Sequence, residues 1–148
     1  AVLAIDNSKN ALRAGDHAGF MLSGTDVNVT VFHSKRDLKR FLPQELADEF
    51  PELQKFWQRK AGKVISPFIQ KAKDMLLEAG LREGQITTKF GDGSRSTAAD
   101  ILEEIKTSKA GSLFIGLHGY SSVKDFTMGS VTRKVLNQAE DMAVCIVP

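Results

Sequence analysis

Gly116 is followed after two residues by Gly119, and after nine more by Gly129 and Ser130, within the segment LFIGLHGYSSVKDFTMGSVTRKV that runs from Leu113 to Val135. An apolar strand pattern precedes these glycines and a helical pattern begins at their end. Glycine lets backbone approach a ligand with no Cβ in the way. A helix amino terminus offers unbonded N–H groups and the positive end of the helix dipole, which together bind phosphate. Ser130 and Thr132 add hydroxyl groups to the same first turn. Arg133 and Lys134 also lie near this terminus, where cations are unfavourable unless an anion sits close by. Any one of these glycines alone would be read as shaping a turn or capping a helix; their joint spacing points to a phosphate cradle. There is no GxxxxGK[ST] sequence, and Gly91 to Gly93 lacks the third glycine of a dinucleotide fingerprint, so neither a P-loop nor that fingerprint applies.

Other residue types offer less. His118 falls inside the GLHG turn, where it could meet a phosphate, whereas His17 falls on a helix surface and His33 follows a strand as a turn residue or as a flank of the pocket. No Ser, His and acid trio is recognisable as a nucleophilic triad. Cys145 sits in the middle of an apolar run and reads as a small hydrophobe. Efficient phosphoryl transfer needs a metal-anchoring acid and a group that orients water or an acceptor, beyond a cradle. Asp125 reads as a solvated loop carboxylate, so the expectation is slow hydrolysis at most.

Elements must exist that place this cradle, and the composition permits them. With 42% hydrophobic and 26% charged residues over 148 positions, the chain has the makeup of one folded domain. Twenty Lys and Arg against eighteen Asp and Glu leave a net charge of +2, which gives no indication of nucleic-acid binding. One cysteine and three histidines allow neither an internal disulfide nor a multi-cysteine metal site, and they point to a reducing, cytoplasmic setting. No apolar run is long enough to span a membrane. The start at Ala1 and stop at Pro148, both at apolar runs, are what a domain excised from or truncated within a longer chain would show.

Val2 to Ile5, Asn28 to Phe32, Ile86 to Phe90, Leu113 to Ile115 and Ala143 to Val147 read as strands. Between them, helices are expected from Ser8 to Leu22, from Ile65 to Leu76, around Ala98 to Ile105 and from Gly129 to Ala139. From Leu38 to Pro67 the pattern predicts one or two short helices punctuated by Pro43 and Pro51, a lid or an interface. Regular alternation of this kind argues for an open parallel sheet with helices on both faces.

The spacing Gly116-x2-Gly119-x9-Gly129-Ser130 followed by Val131 and Thr132, together with the opening VLAIDNSKNALRAGDHA and the ILEEI helix, resembles the universal stress protein family over nearly the whole chain. That resemblance implies a Rossmann-like five-stranded parallel sheet of order 3-2-1-4-5, a homodimer, and ATP with Mg²⁺ as ligand. It further implies that Asp6 contacts the adenine, that Val31 offers it a backbone contact, that Gly116, Leu117 and Gly119 line the ribose and phosphates, and that Gly129, Ser130, Val131 and Thr132 cradle the phosphates. For Asp6 a helix-entry cap is the competing role. Departures from the family pattern are Gly111 before the fourth strand and Met142-Ala143 before the fifth. The function expected is an ATP-binding, stress-responsive regulator. An interaction module with an empty pocket or another nucleotide is the alternative, and an adenylating enzyme ranks behind both, since DNSKN after the first strand lacks glycines. In the implied order the last strand, Ala143 to Val147, is an uncharged edge with only Pro148 at its end, open to pairing with a second copy.

Overall fold

Short apolar runs that bury both faces favour parallel pairing under helical cover, and the computed structural model of the chain realises this. The structure describes residues 1–35, 49–92, 96–119 and 128–148. Among them are β1 (Val2–Ala4), α1 (Lys9–Leu22), β2 (Val29–Ser34), α2 (Pro51–Glu78), β3 (Ile86–Gly91), α3 (Thr97–Ser108), β4 (Ser112–Gly116), α4 (Ser130–Gln138) and β5 (Ala143–Val147). The five strands form a single parallel sheet of order β3-β2-β1-β4-β5. The Rossmann-like fold and the strand order expected from the sequence are therefore present.

Central β1 is buried at every position, and its register sets both flanks: Leu3 lies opposite Val31 on one side and Phe114 on the other. Alternate residues serve opposite faces. Leu3, Val31 and Phe114 pack with Ala14 and Ala18 of α1 and with Ala72 and Leu76 of α2. Val2, Phe32, Leu113 and Ile115 pack with Ala98 and Ile101 of α3 and Val135 of α4. The face under α1 is built from small residues because two helices must share it. A Cβ at Gly15 would touch Leu3 Cδ2 at 3.6 Å and Ala72 Cβ at 3.8 Å, and one at Gly19 would lie 2.9 Å from Ala79 Cβ.

Local sequence fixes the helix starts. Ser8 caps α1 by accepting the Ala11 N–H at 3.1 Å, and Ser96 caps α3 by accepting the Ala99 N–H at 3.2 Å. Gly80, at φ +100°, turns the chain out of α2 in a conformation that side chains resist. Strand β2 runs two residues beyond its sequence-based end, because His33 and Ser34 still find partners in Phe90 and Gly91.

The Leu38 to Pro67 segment requires a correction. Its described part does not break into short helices; residues 51–78 form one helix of 28 residues that runs through Pro67. Pro51 opens this helix in its first turn, where the missing N–H costs nothing. Pro67 removes a single ladder hydrogen bond, and the good helix formers around it carry the helix past. Pro43, Gly93 and Asp125 lie outside the described residues. No helix among the described residues is long and apolar enough to cross a membrane.

The burial along α2 is one-sided. Ile65, Ile69, Ala72 and Leu76 are buried, whereas Leu53 is 46% exposed. Leu76→Ala should lower the unfolding free energy by about 2–5 kcal/mol through lost burial and a residual cavity, while Leu53→Ala should change it by at most about 0.5 kcal/mol. Urea denaturation of the two variants checks this contrast; equal losses would place the amino-terminal half of α2 in the core.

Candidate functional site

In a 3-2-1-4-5 sheet the crossovers leave β1 and β4 in opposite directions, which opens a crevice beyond their carboxyl ends. A cleft of about 680 Å³ lies there. Asp6, Gly116, Gly119, Gly129, Ser130, Val131 and Thr132, seven of the residues singled out in the sequence, line it together with Ser8 and His118.

The loop after β4 is pinned from below. The Leu117 N–H donates to the Val147 carbonyl at 2.7 Å, and the Leu117 carbonyl accepts from the Gly129 N–H at 2.9 Å. Thr132 Oγ1 donates to the Gly116 carbonyl at 2.8 Å and is almost fully buried. Its one proton is thus already used within the fold. Leu117 likewise has both backbone groups engaged and does not line the cleft. These two residues hold the cradle in shape.

Above them, α4 begins without a side-chain cap, since Gly129 occupies the capping position. The first bond of the helix runs from the Arg133 N–H to the Gly129 carbonyl at 2.9 Å. The N–H groups of Ser130, Val131 and Thr132 precede it and have no intrahelical acceptor. Three amides and the helix dipole therefore face the cleft, a geometry that fits a phosphate group. Gly129 is glycine for a steric reason as well: a Cβ there would stand 3.0 Å from the Leu117 oxygen and 3.3 Å from His118 Cα.

Asp6 faces this cradle across the cleft. Its Oδ1 accepts the Ser8 N–H at 3.0 Å, so it does organise the entry to α1. Its Oδ2 points at Gly119, where an added Cβ would lie 2.7 Å away. Ser8 Oγ in turn reaches the His118 carbonyl at 3.5 Å, a long contact that ties the first helix cap to the loop. The side-chain Nδ1 of His118 is buried and has no hydrogen-bond partner among the described residues.

At the β2 end the cleft is lined by residues other than Val31. Val31 is fully buried in the core beneath α1 and α2 and does not line the cleft. Because β2 extends to Ser34, the lining there comes from Phe32, His33, Ser34 and Lys35. His33 Nδ1 lies 2.7 Å from the Ile5 carbonyl, and its ring meets Phe90 edge to face at 6.4 Å. Ser34 Oγ donates to Asp100 Oδ2 of α3, a carboxylate buried behind the cleft wall. The remaining wall is α2, through Trp57, Lys60, Ala61 and Val64, none of which the sequence motif includes. Their position over the cleft was not visible in the sequence, because it depends on where the sheet ends.

Cys145 stands apart from all this, half-buried in β5, and burial pushes its thiol up from the ordinary value. It stays a protonated, structural side chain at neutral pH.

The family model described as the universal stress protein family matches residues 1–147. Among solved structures, the universal stress protein UspA from Lactobacillus plantarum superposes with a TM-score of 0.75 at 18% identity, over 99% of this chain and 95% of its own. A universal stress protein from Archaeoglobus fulgidus in complex with dAMP gives 0.63 at 18%, over 99% and 95%. A universal stress protein in complex with cAMP gives 0.64 at 19%, over 99% and 94%. Comparison with curated proteins finds no significant match.

Two glycines of the loop now separate by what a side chain would hit. A Cβ at Gly116 would lie 2.8 Å from the carbonyl carbon of Asn10 and 2.9 Å from the Ala11 nitrogen, both backbone, whereas at Gly119 it would meet a carboxylate tip. Gly116→Ala should destabilise the fold by about 1–3 kcal/mol, as overpacking does. Gly119→Ala should leave stability within about 1 kcal/mol of wild type, the Asp6 carboxylate giving way at a cost like that of an ordinary surface change. Denaturant unfolding of both variants decides, and a Gly116→Ala protein as stable as wild type would refute the assigned contact.

Proposed function

The chain belongs to the universal stress protein family, and we propose that within it this protein is an ATP-binding regulator that holds its nucleotide as a switch. The observation that carries this reading is the uncapped amino terminus of α4, whose three amides face a cleft that also contains Gly119 and Asp6. Phosphates fit against those amides and against Ser130, the exposed hydroxyl of that turn. A divalent ion such as Mg²⁺ would travel with the phosphates and offset their charge. In this reading the Asp6 carboxylate, which also accepts the Ser8 N–H, receives a hydrogen bond from the amino group of adenine. That two structural relatives are described with dAMP and with cAMP supports an adenine nucleotide. Binding of this kind is chemically complete without a nucleophile or base, which favours signalling by occupancy over turnover. A cytoplasmic location and a homodimer through β5 belong to the same reading. β5 is an edge of the sheet, uncharged throughout, and Val144, Cys145 and Ile146 are only half-buried. Pairing with a second copy about a twofold axis would use its free backbone groups and cover these side chains.

Isothermal titration calorimetry should detect ATP binding in the presence of Mg²⁺. Ser130→Ala should weaken it about fivefold, the worth of roughly 1 kcal/mol for one hydrogen bond. Asp6→Ala should narrow the preference for ATP over GTP. Mass spectrometry of ligand carried through purification tests the alternative, since a different nucleotide, or none together with no ATP binding, would replace this reading.

For the dimer, light scattering at micromolar concentration should give twice the chain mass for the wild type and the chain mass for Val144→Lys, whose ammonium would be buried in the paired edge. A monomeric wild type would remove β5 as an interface.

A further inference from the structure

Helix α2 is packed along only half of its length. Its buried residues all fall at or beyond Ile65, and none of residues 51–64 is buried. The apolar stripe nonetheless continues upstream. Trp57 and Ala61 precede Ile65 in steps of four, so they share its side of the helix. There the stripe leaves the core and becomes a wall of the cleft, where Trp57, Ala61 and Val64 stand with Phe32 and Phe90. Trp57 keeps 39% of its surface exposed. Leaving so large an apolar ring half in water forgoes burial that a ligand can recover.

The cleft thus has two ends of opposite chemistry. Around α4 it offers amide donors and a dipole suited to phosphate; around α2 and the end of β2 it offers aromatic and aliphatic surface. Lys60 and Lys35 flank this second end, each with its ammonium over an aromatic ring, at 5.5 Å from Phe56 and 5.3 Å from Phe90. A bare polyphosphate can use one end only. A planar heteroaromatic base joined to a polyphosphate can use both.

Resting on the nucleotide reading above, we propose that Trp57 is a specificity-determining residue, the indole against which the base of the bound nucleotide packs. The glycine motif then recognises the phosphates and α2 recognises that a base is attached. Among the described residues that the motif brings to the cleft, none is a Phe, Tyr or Trp.

The test compares ATP with inorganic triphosphate on the full chain, by calorimetry and by the fluorescence of Trp57, the one tryptophan in the sequence. ATP should change the Trp57 emission and inorganic triphosphate should not. Trp57→Ala should weaken ATP about ten- to hundredfold, the range for loss of one base–aromatic stack, and leave triphosphate within about twofold. Trp57→Phe should recover most of the ATP affinity. Circular dichroism of each variant reports whether the fold is intact, which the exposure of Trp57 leads one to expect. If wild type binds ATP and Trp57→Ala binds it equally well, this inference fails and the function proposed above stands. If Trp57→Ala loses ATP and triphosphate alike, Trp57 supports the fold of the cleft and does not read the base, which also overturns it. A wild type that binds triphosphate but no nucleotide overturns both.

Discussion

Where β4 ends, its backbone runs so close to the first turn of α1 that no side chain fits between them at Gly116. Everything at the carboxyl edge of the sheet follows from that approach. It brings the entry to α1, with Asp6 and Ser8, beside the loop that carries His118 and Gly119. It also lets the buried Thr132 hydroxyl reach the Gly116 carbonyl and so aim the start of α4 back over the same edge. A larger residue at Gly116 would part strand from helix and widen the cleft beyond them. The tightness is paid for by composition, since Ala11, Ala14, Gly15, Ala18 and Gly19 present α1 as a nearly smooth surface to the strands and to α2.

Much of this was legible in the residues. β-branched runs alternating with amphipathic stretches pointed to a parallel sheet under two layers of helix, because each periodicity is tied to one kind of burial. Ser8 marked the start of α1 through a hydroxyl that accepts an amide three residues on, as Ser96 does for α3 in the structure. The glycine spacing marked residues that meet at one end of the sheet, but it did not divide them by task. Gly116 serves helix packing, Leu117 and Thr132 have their polar groups committed inside the fold, and the uncapped amides after Gly129 are what remains for a ligand. Such a division depends on three-dimensional partners that spacing does not encode. Val31 illustrates the same limit. The end of a strand is set by how far its neighbour continues, and β3 carries β2 on to Ser34, leaving Val31 in the core.

Helix α2 was hardest to read because two of its signals conflict with its fate. Proline is a strong breaker on average, yet Pro51 falls where helices tolerate it, and Pro67 costs one hydrogen bond in a helix anchored by buried side chains on both sides of it, Ile65 before and Ile69, Ala72 and Leu76 after. Packing outweighed propensity, and the result is a helix twice as long as its core contact. The exposed half looks like a lid or an interface in sequence because its apolar stripe has no partner there. In space, that stripe borders the cleft that Asp6 and the start of α4 also line.

The bond from the Leu117 amide to the Val147 carbonyl gives β5 a second role. This strand is both the last rib of the sheet and an anchor of the loop beneath the cradle, so its free side and the ligand side are mechanically in series. A force on the rim that shifts Val147 is felt one peptide away at Leu117, and a ligand that tightens the loop stiffens the rim in return. Thermodynamic linkage makes any such influence equal in both directions. The sheet margin and the loop that floors the cleft are therefore held by one shared backbone hydrogen bond.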